Sequence, residues 1–200
     1  MAVASSRKLT LDDIVDLRAY ERGREAFRAH VIALKKTRRV SVGPHVTLVF
    51  ENRDTIRVQI QEMARAERIL TDEGIRTELD IYNPLIPEPG TLSATLFLEL
   101  TSDAELREWL PKLVGIERSI VLRFGGHEVR CRPEEEHAAQ LTREEITASV
   151  HYVRFELTDD EVATWGSGPV ELAVDHPDYR HAVTLSDETC AELGADLHGE

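Results

Sequence analysis

The segment Asp175-His176-Pro177-Asp178-Tyr179, with His181 just beyond it, places two imidazoles and two carboxylates within seven residues. Two histidines and one carboxylate form the facial triad of non-haem iron, and the same donors hold zinc. Pro177 permits a turn that brings His176 and His181 together. His151, on a predicted neighbouring strand, would add a third nitrogen, while Asp175 can instead orient one imidazole. On this reading the cofactor is a divalent metal, iron or zinc, serving a metal-dependent enzyme with Glu62 or Glu67 as proton acceptor. A strand-to-turn exit carries the same residue types without any metal, so the pattern leaves both readings open.

A second group lies at the start of a predicted helix: Glu51, Arg53 and Asp54, followed by Arg57, Gln61, Glu62 and Glu67. Glu51 and Asp54 suit the positive end of a helix dipole, and Arg53 with Arg57 can grip a carboxylate or phosphate bidentately. The chemistry would be that of a pocket for a small polar ligand; ordinary surface ion pairing is the competing explanation. Di-iron carboxylate bundles need Glu-x-x-His pairs, and this helix has no histidine. A third group is the basic run Lys35–Arg39, joined by Arg7, Lys8, Arg18, Arg22, Arg24 and Arg28. It offers an anion or single-stranded nucleic-acid surface, but Tyr20 and Phe27, the aromatics among these cations, fit a buried stripe rather than a stacking platform. Cys131 between Arg130 and Arg132 has neighbours that favour a thiolate. Phosphate-binding Gly-rich loops, Gly-x-Ser-x-Gly and His-Glu-x-x-His are absent from the sequence.

The elements that would position these groups follow from periodicity and caps. Leu9 to Arg39 predicts an amphipathic helix capped by Thr10, with Asp13 at its third position and a Leu9–Ile14 staple. Val40 to Phe50 predicts a strand around the Gly43-Pro44 turn. A second helix is predicted from Asn52 to Glu73, stopped by Gly74, which would set Glu67 on its apolar stripe. A proline-rich loop leads to a strand over Leu92–Leu100, and Ser102 with Glu105 caps a helix through Trp109 and Leu110. Ile120–Phe124 and His127–Arg130 flank Gly125-Gly126 as a hairpin. Thr142 with Glu145 starts a short helix, Ser149–Leu157 forms a strand, and Thr158 with Glu161 caps another helix. Strands at Val170–Asp175 and Val183–Leu185 precede a final helix capped by Ser186. The expected class is α+β, with mixed helices and a mainly antiparallel sheet. It forms one compact body or two closely packed subdomains, divided as 1–132 and 133–200.

Composition sets the outer limits. The 200 residues carry 24 Lys+Arg against 37 Asp+Glu, a net charge of −13, which excludes a general double-stranded nucleic-acid binder. The charge is uneven: residues 1–68 hold 14 Lys+Arg and 9 Asp+Glu, a net +5, leaving −18 on residues 69–200. Two such faces can dock on each other, on a second copy or on a partner protein. Cys131 and Cys190 are too few for a disulfide framework, and the sequence has no membrane span or signal peptide, so a cytoplasmic protein is expected.

Several separated stretches carry a family resemblance: Leu9-Thr-Leu-Asp-Asp-Ile14, Arg38-Arg-Val-Ser-Val-Gly-Pro44, Phe50-Glu-Asn-Arg-Asp-Thr-Ile56, Gln61-Glu-Met63, Tyr82-Asn-Pro-Leu-Ile-Pro87, Trp109-Leu-Pro-Lys-Leu113 and Asp175-His-Pro-Asp-Tyr179. Over nearly the whole chain these resemble a bacterial domain-of-unknown-function family, often encoded near rubrerythrin-like di-iron proteins and iron–sulfur oxidoreductases. The resemblance implies an accessory role in redox or peroxide metabolism and supplies no catalytic residues. The reading reached from the sequence is an accessory or binding protein serving a redox partner or a small polar ligand, with self-association as a further option.

Overall fold

In the computed structural model, which describes residues 7–134 and 146–199, two antiparallel sheets share one apolar core. The first has strand order β1-β2-β3-β7-β6, from β1 (Arg39–Val42), β2 (Val46–Phe50), β3 (Thr91–Leu98), β6 (Arg132–Pro133) and β7 (Val150–Glu156). The second has order β5-β4-β8-β9, from β4 (Ile120–Phe124), β5 (His127–Arg130), β8 (Glu171–His176) and β9 (Tyr179–Thr184). Each sheet draws strands from both sides of residue 133. Leu48, Phe50, Leu96 and Phe155 of the first sheet meet Leu122, Leu172 and Val174 of the second in a single buried cluster. β2 is buried along its whole length, with its one polar residue, Thr47, hydrogen-bonded to Glu99 (3.1 Å).

The predicted helix from Thr10 divides. Thr10 and Asp13 form a capping box around one 3-10 turn, Leu11–Asp13, and α1 then runs over Leu17–Arg38 with Asp16 as its cap. Between them Val15 is extended, its N–H donating to Gln61 Oε1 (2.9 Å) and its carbonyl accepting from Gln61 Nε2 (3.2 Å). The buried Gln61 amide thus supplies the bonds that helical continuation would have made. Leu9 is thereby free to enter a second core with Ile56, Ile60, Leu79, Leu85 and Ile86.

The predicted helix from Asn52 to Glu73 is also two. α2 (Arg53–Glu67) ends at Arg68, which is left-handed (φ 56°), and α3 (Asp72–Tyr82) begins after the cap Thr71. Gly74 is therefore not a stop. It lies in the first turn of α3, where a Cβ would sit 2.4 Å from the Ile69 side chain. The second core packs beneath these helices, with Tyr152 of β7 against it. α4 (Asp103–Lys112) has the Ser102/Glu105 box, and its Pro111 falls in the last turn. α5 (Asp159–Thr164) has the Thr158/Glu161 box. α6 (Asp187–His198) is capped by Ser186 and ends at left-handed Gly199. The expected helix at Thr142–Glu145 lies outside the described residues. Among those residues, no helix is long and apolar enough to cross a membrane.

The β4–β5 hairpin turns on Gly125 and Gly126, both at positive φ, as a two-residue type I′ turn requires. β9 is longer than the expected Val183–Leu185. It pairs with β8 from His176↔Tyr179 to Glu171↔Thr184 around Pro177 and Asp178.

One contact joins the two sheets at their ends. The buried Tyr179 hydroxyl donates to Val42 O (2.7 Å) and accepts from the N–H groups of His45 (3.0 Å) and Val46 (3.2 Å). Gly43, at φ +73°, leaves room for it: a Cβ there would lie 2.5 Å from both the Tyr179 hydroxyl and His181 Cγ. Trp109 of α4 meets Tyr179 edge-on at 6.1 Å.

Candidate functional site

The group at the start of α2 is arranged by the cap. Asn52 Oδ1 accepts from the N–H groups of Asp54 (3.1 Å) and Thr55 (3.0 Å), which fixes the first turn and sends successive side chains in different directions. Arg53 pairs with Asp13, and Arg57 Nε donates to Asp13 O (2.8 Å) while its guanidinium lies over the Phe27 ring at 5.2 Å. Asp54 faces His30 Nε2 at 3.0 Å. Glu62 receives Arg24 through two bonds of 2.8 Å, the Tyr20 hydroxyl at 2.7 Å and Arg28 at 3.3 Å. Those bonds, Arg24 foremost, hold its carboxyl down at about 2, whereas burial and the same carboxylate push the Tyr20 phenol up.

Glu51 turns the other way. It is 3% exposed, its Oε1 accepts from the Thr95 hydroxyl (2.6 Å), and its Oε2 has no partner among the described residues. Glu67 is exposed rather than on the apolar stripe, because α2 ends there. Burial first, and Glu67 second, raise the carboxyl of Glu78 on α3. The six residues therefore do not converge on one point.

Arg53 and Asp54 do meet elsewhere. With Asn52, Arg7, Asp196, Ile86 and Pro87 they line a cleft of about 310 Å³ at the start of α2. Asn52 caps through its oxygen alone, so its amide NH₂ adds a donor beside the guanidinium of Arg53. Asp196 is anchored from behind by the buried Arg38, whose Nη1 donates to its Oδ2 at 2.6 Å and whose Nη2 reaches Glu192 at 3.1 Å. Arg7 Nη1 donates to Asp196 O (3.1 Å), tying the start of the described chain to α6.

The histidine group is dispersed. Both nitrogens of the buried His176 face the backbone: Nε2 lies 3.0 Å from Val114 O, and Nδ1 accepts from the Asp178 N–H (3.2 Å). Both ring nitrogens are thus occupied by backbone groups of this chain. His181 is exposed and packs at a tilt against Tyr179, with ring centroids 4.5 Å apart. Asp175 pairs with Arg130 (3.3 Å) and Arg180 (3.8 Å) on the outer face of the second sheet. His151 belongs to the first sheet, where its Nε2 lies 2.8 Å from Thr147 Oγ1 and 2.9 Å from Ala148 O. Burial lowers its pKa. Among the described residues, no group of three or more His, Cys, Asp or Glu side chains is placed to hold a metal ion.

Two other expectations change. Cys131 is buried, its thiol donating to Glu117 O (3.2 Å), and burial pushes it up to about 12; desolvation outweighs the neighbouring Arg130. Part of the basic group is paired within the fold, Arg24 and Arg28 with Glu62, Arg38 with Asp196 and Glu192, and Arg39 with Glu99. Sequence reasoning missed Asp13 as the shared partner of Arg53 and Arg57; its signal was the repeated carboxylate of Asp12-Asp13.

Comparison with known proteins agrees with the fold and adds no chemistry. A search of curated proteins finds no match. The crystal structure of a novel protein of unknown function from Burkholderia pseudomallei K96243 superposes with a TM-score of 0.87 at 39% identity, covering 95% of this chain and 99% of that one. Residues 8–197 match the family described as Protein of unknown function (DUF3501), which spans both sheets and every cluster above, and the chain belongs to that family.

Proposed function

We propose that the protein is a binding component, which holds a small ligand bearing a carboxylate or phosphate in the cleft at the start of α2. The supporting observation is the cleft itself: the Arg53 guanidinium, the Asn52 amide and the positive end of a fifteen-residue helix line about 310 Å³. That volume sits at the small end of ligand pockets, so the ligand is a metabolite of few heavy atoms. Asp54 on the same wall favours a ligand that also carries a cationic or hydroxyl group. A role in redox or peroxide metabolism would then pass through this ligand or a partner protein, since the Cys131 thiol is buried and pushed up to about 12.

Calorimetric titration with small carboxylates, inorganic phosphate and amino acids tests the reading. One saturable site is expected, weakened about tenfold or more by Arg53→Ala and retained in Asp13→Ala, which breaks the Arg53 ion pair but keeps the guanidinium. No binding tighter than about 1 mM across the panel, or equal loss in both variants, refutes it.

A further inference from the structure

β9 forms an edge of the second sheet, with β8 on one side and, among the described residues, no strand on the other. The Leu185 N–H bonds to Val170 O (2.8 Å), so alternation along the ladder assigns the bonds to β8 to Val183, His181 and Tyr179. The N–H and C=O groups of Arg180, Ala182 and Thr184 therefore point away from β8, and among the described residues none of them has a backbone partner. The three side chains are exposed.

The other edges are shorter: β1 and β5 have four residues each and β6 has two. β9 has six residues and lacks the proline and the dense charge that blunt edges. Arg180 is its one charged residue apart from any charge on His181.

We propose that β9 is a self-complementary docking edge, on which a second copy of this chain adds its own β9 antiparallel about a two-fold axis at Ala182. This register sets Ala182 opposite Ala182 and Arg180 opposite Thr184. Every outward-pointing N–H and C=O then meets another, as the closely spaced hydrogen-bonded pairs of an antiparallel ladder require. Shifting the register until Arg180 opposes Arg180 would place like charges across the axis, which antiparallel pairs disfavour.

The outer face of the sheet carries the same sign pattern across the join. Within one copy Arg123 bonds Glu171 (3.0 Å), and Glu171 lies opposite Thr184. In the proposed register Thr184 faces Arg180 of the second copy, and Arg180 lies opposite and pairs with Asp175 in its own chain. Charges thus alternate along one row through both copies. Ala182 projects from the outer face at the axis, where the side chains of the two copies become direct cross-strand neighbours.

Sedimentation velocity and light scattering on the full chain, with hydrogen exchange, test this proposal. The wild type is expected at twice the 22.6 kDa chain mass, with the Arg180, Ala182 and Thr184 amides protected in a concentration-dependent way. Ala182→Lys and Ala182→Glu each set like charges across the axis and should raise the dimer dissociation constant about tenfold or more. The side chain is exposed, so both variants should keep the wild-type melting profile of the monomer. Mixing the two variants should restore a dimer, because Lys then faces Glu. A wild type that stays monomeric at every concentration overturns the proposal, as does a dimer unaffected by either variant. Two monomeric variants that fail to associate when mixed overturn the two-fold at Ala182.

Discussion

The joint between α1 and α6 rests on a charge pair that water does not reach, and removing one partner should be among the most damaging single changes in the molecule. The Arg38 side chain is 3% exposed and that of Asp196 8%, with Nη1 and Oδ2 2.6 Å apart. Glu192 adds a second acceptor at the exposed rim, while Arg38 Nε has no partner among the described residues. Asp196→Ala leaves a desolvated guanidinium with only the rim carboxylate, a state that costs about 3–5 kcal/mol. For a chain of this length each kcal/mol lowers the melting temperature by about 2–4 °C, so a fall of roughly 10 °C is expected. Arg38→Met should cost a similar amount, because it strands the Asp196 carboxylate. The double variant Arg38→Met/Asp196→Leu removes both charges and should be less damaged than either single variant. Urea unfolding at neutral pH, followed by circular dichroism and Trp fluorescence, gives the three free energies. A loss below about 1 kcal/mol in Asp196→Ala, or a double variant whose loss equals the sum of the singles, would refute the reasoning.

Two further outcomes follow from the geometry. Glu62 has its folded pKa depressed from 4.5 to about 2, so its contribution is present above the unfolded value and is lost as pH falls from about 4.5 towards 2. Unfolding free energies measured across that range should therefore fall more steeply in the wild type than in Glu62→Gln, by roughly 2 kcal/mol once the 27% exposure of the side chain is allowed for; parallel profiles would contradict this. Gly43→Ala forces a left-handed non-glycine residue and a Cβ against Tyr179 and His181, at a cost of about 2–4 kcal/mol, whereas Tyr179→Phe leaves the Val42 carbonyl without its donor and costs about 1–3 kcal/mol. Thermal denaturation of both variants checks the pair, and a Gly43→Ala protein with an unchanged midpoint would contradict the interlock.

Much of the fold was legible because it depends on local rules. The capping sequences at Ser102, Thr158 and Ser186 and the Gly125-Gly126 hairpin each state their structure within a few residues. Legibility ended where a distant group replaced a local one. Gln61 takes the backbone bonds of Val15 from 46 residues away, so the periodic pattern running through Ile14 to Leu34 gave no sign of the break at Val15. Arg68 adopts the left-handed turn that Gly74 was expected to supply, while Gly74 lies in the first turn of α3 against Ile69. The candidate sites suffered from the same limit. Residues close in sequence at the start of α2 point in turn to partners on the 3-10 turn, the first sheet and α1, and of the group only Arg53 and Asp54 share the cleft. The histidines near residue 176 are consumed by backbone carbonyls and ring packing, contacts that residue type alone does not distinguish from ligation.

The motifs and the charge asymmetry acquire a common explanation in this architecture. Val42-Gly43-Pro44, Trp109 and the Asp175–Tyr179 segment lie far apart in sequence, yet they meet where Tyr179 enters the β1–β2 turn. Their distinctive residues are needed there for shape: a glycine that admits a hydroxyl, a tyrosine that satisfies three backbone groups, and a histidine that closes its own hairpin. The positive N-terminal segment is answered in the same way. Arg7 and Arg38 reach α6, Lys8 reaches Glu88, and Arg39 reaches Glu99, so cations from the first forty residues bind acceptors from the acidic remainder. Part of the charge polarity along the sequence is therefore met within the fold, and Arg38 ties the N-terminal helix to α6. The cleft beside Arg53 and the open edge of β9 are two places where donors and acceptors still face outward.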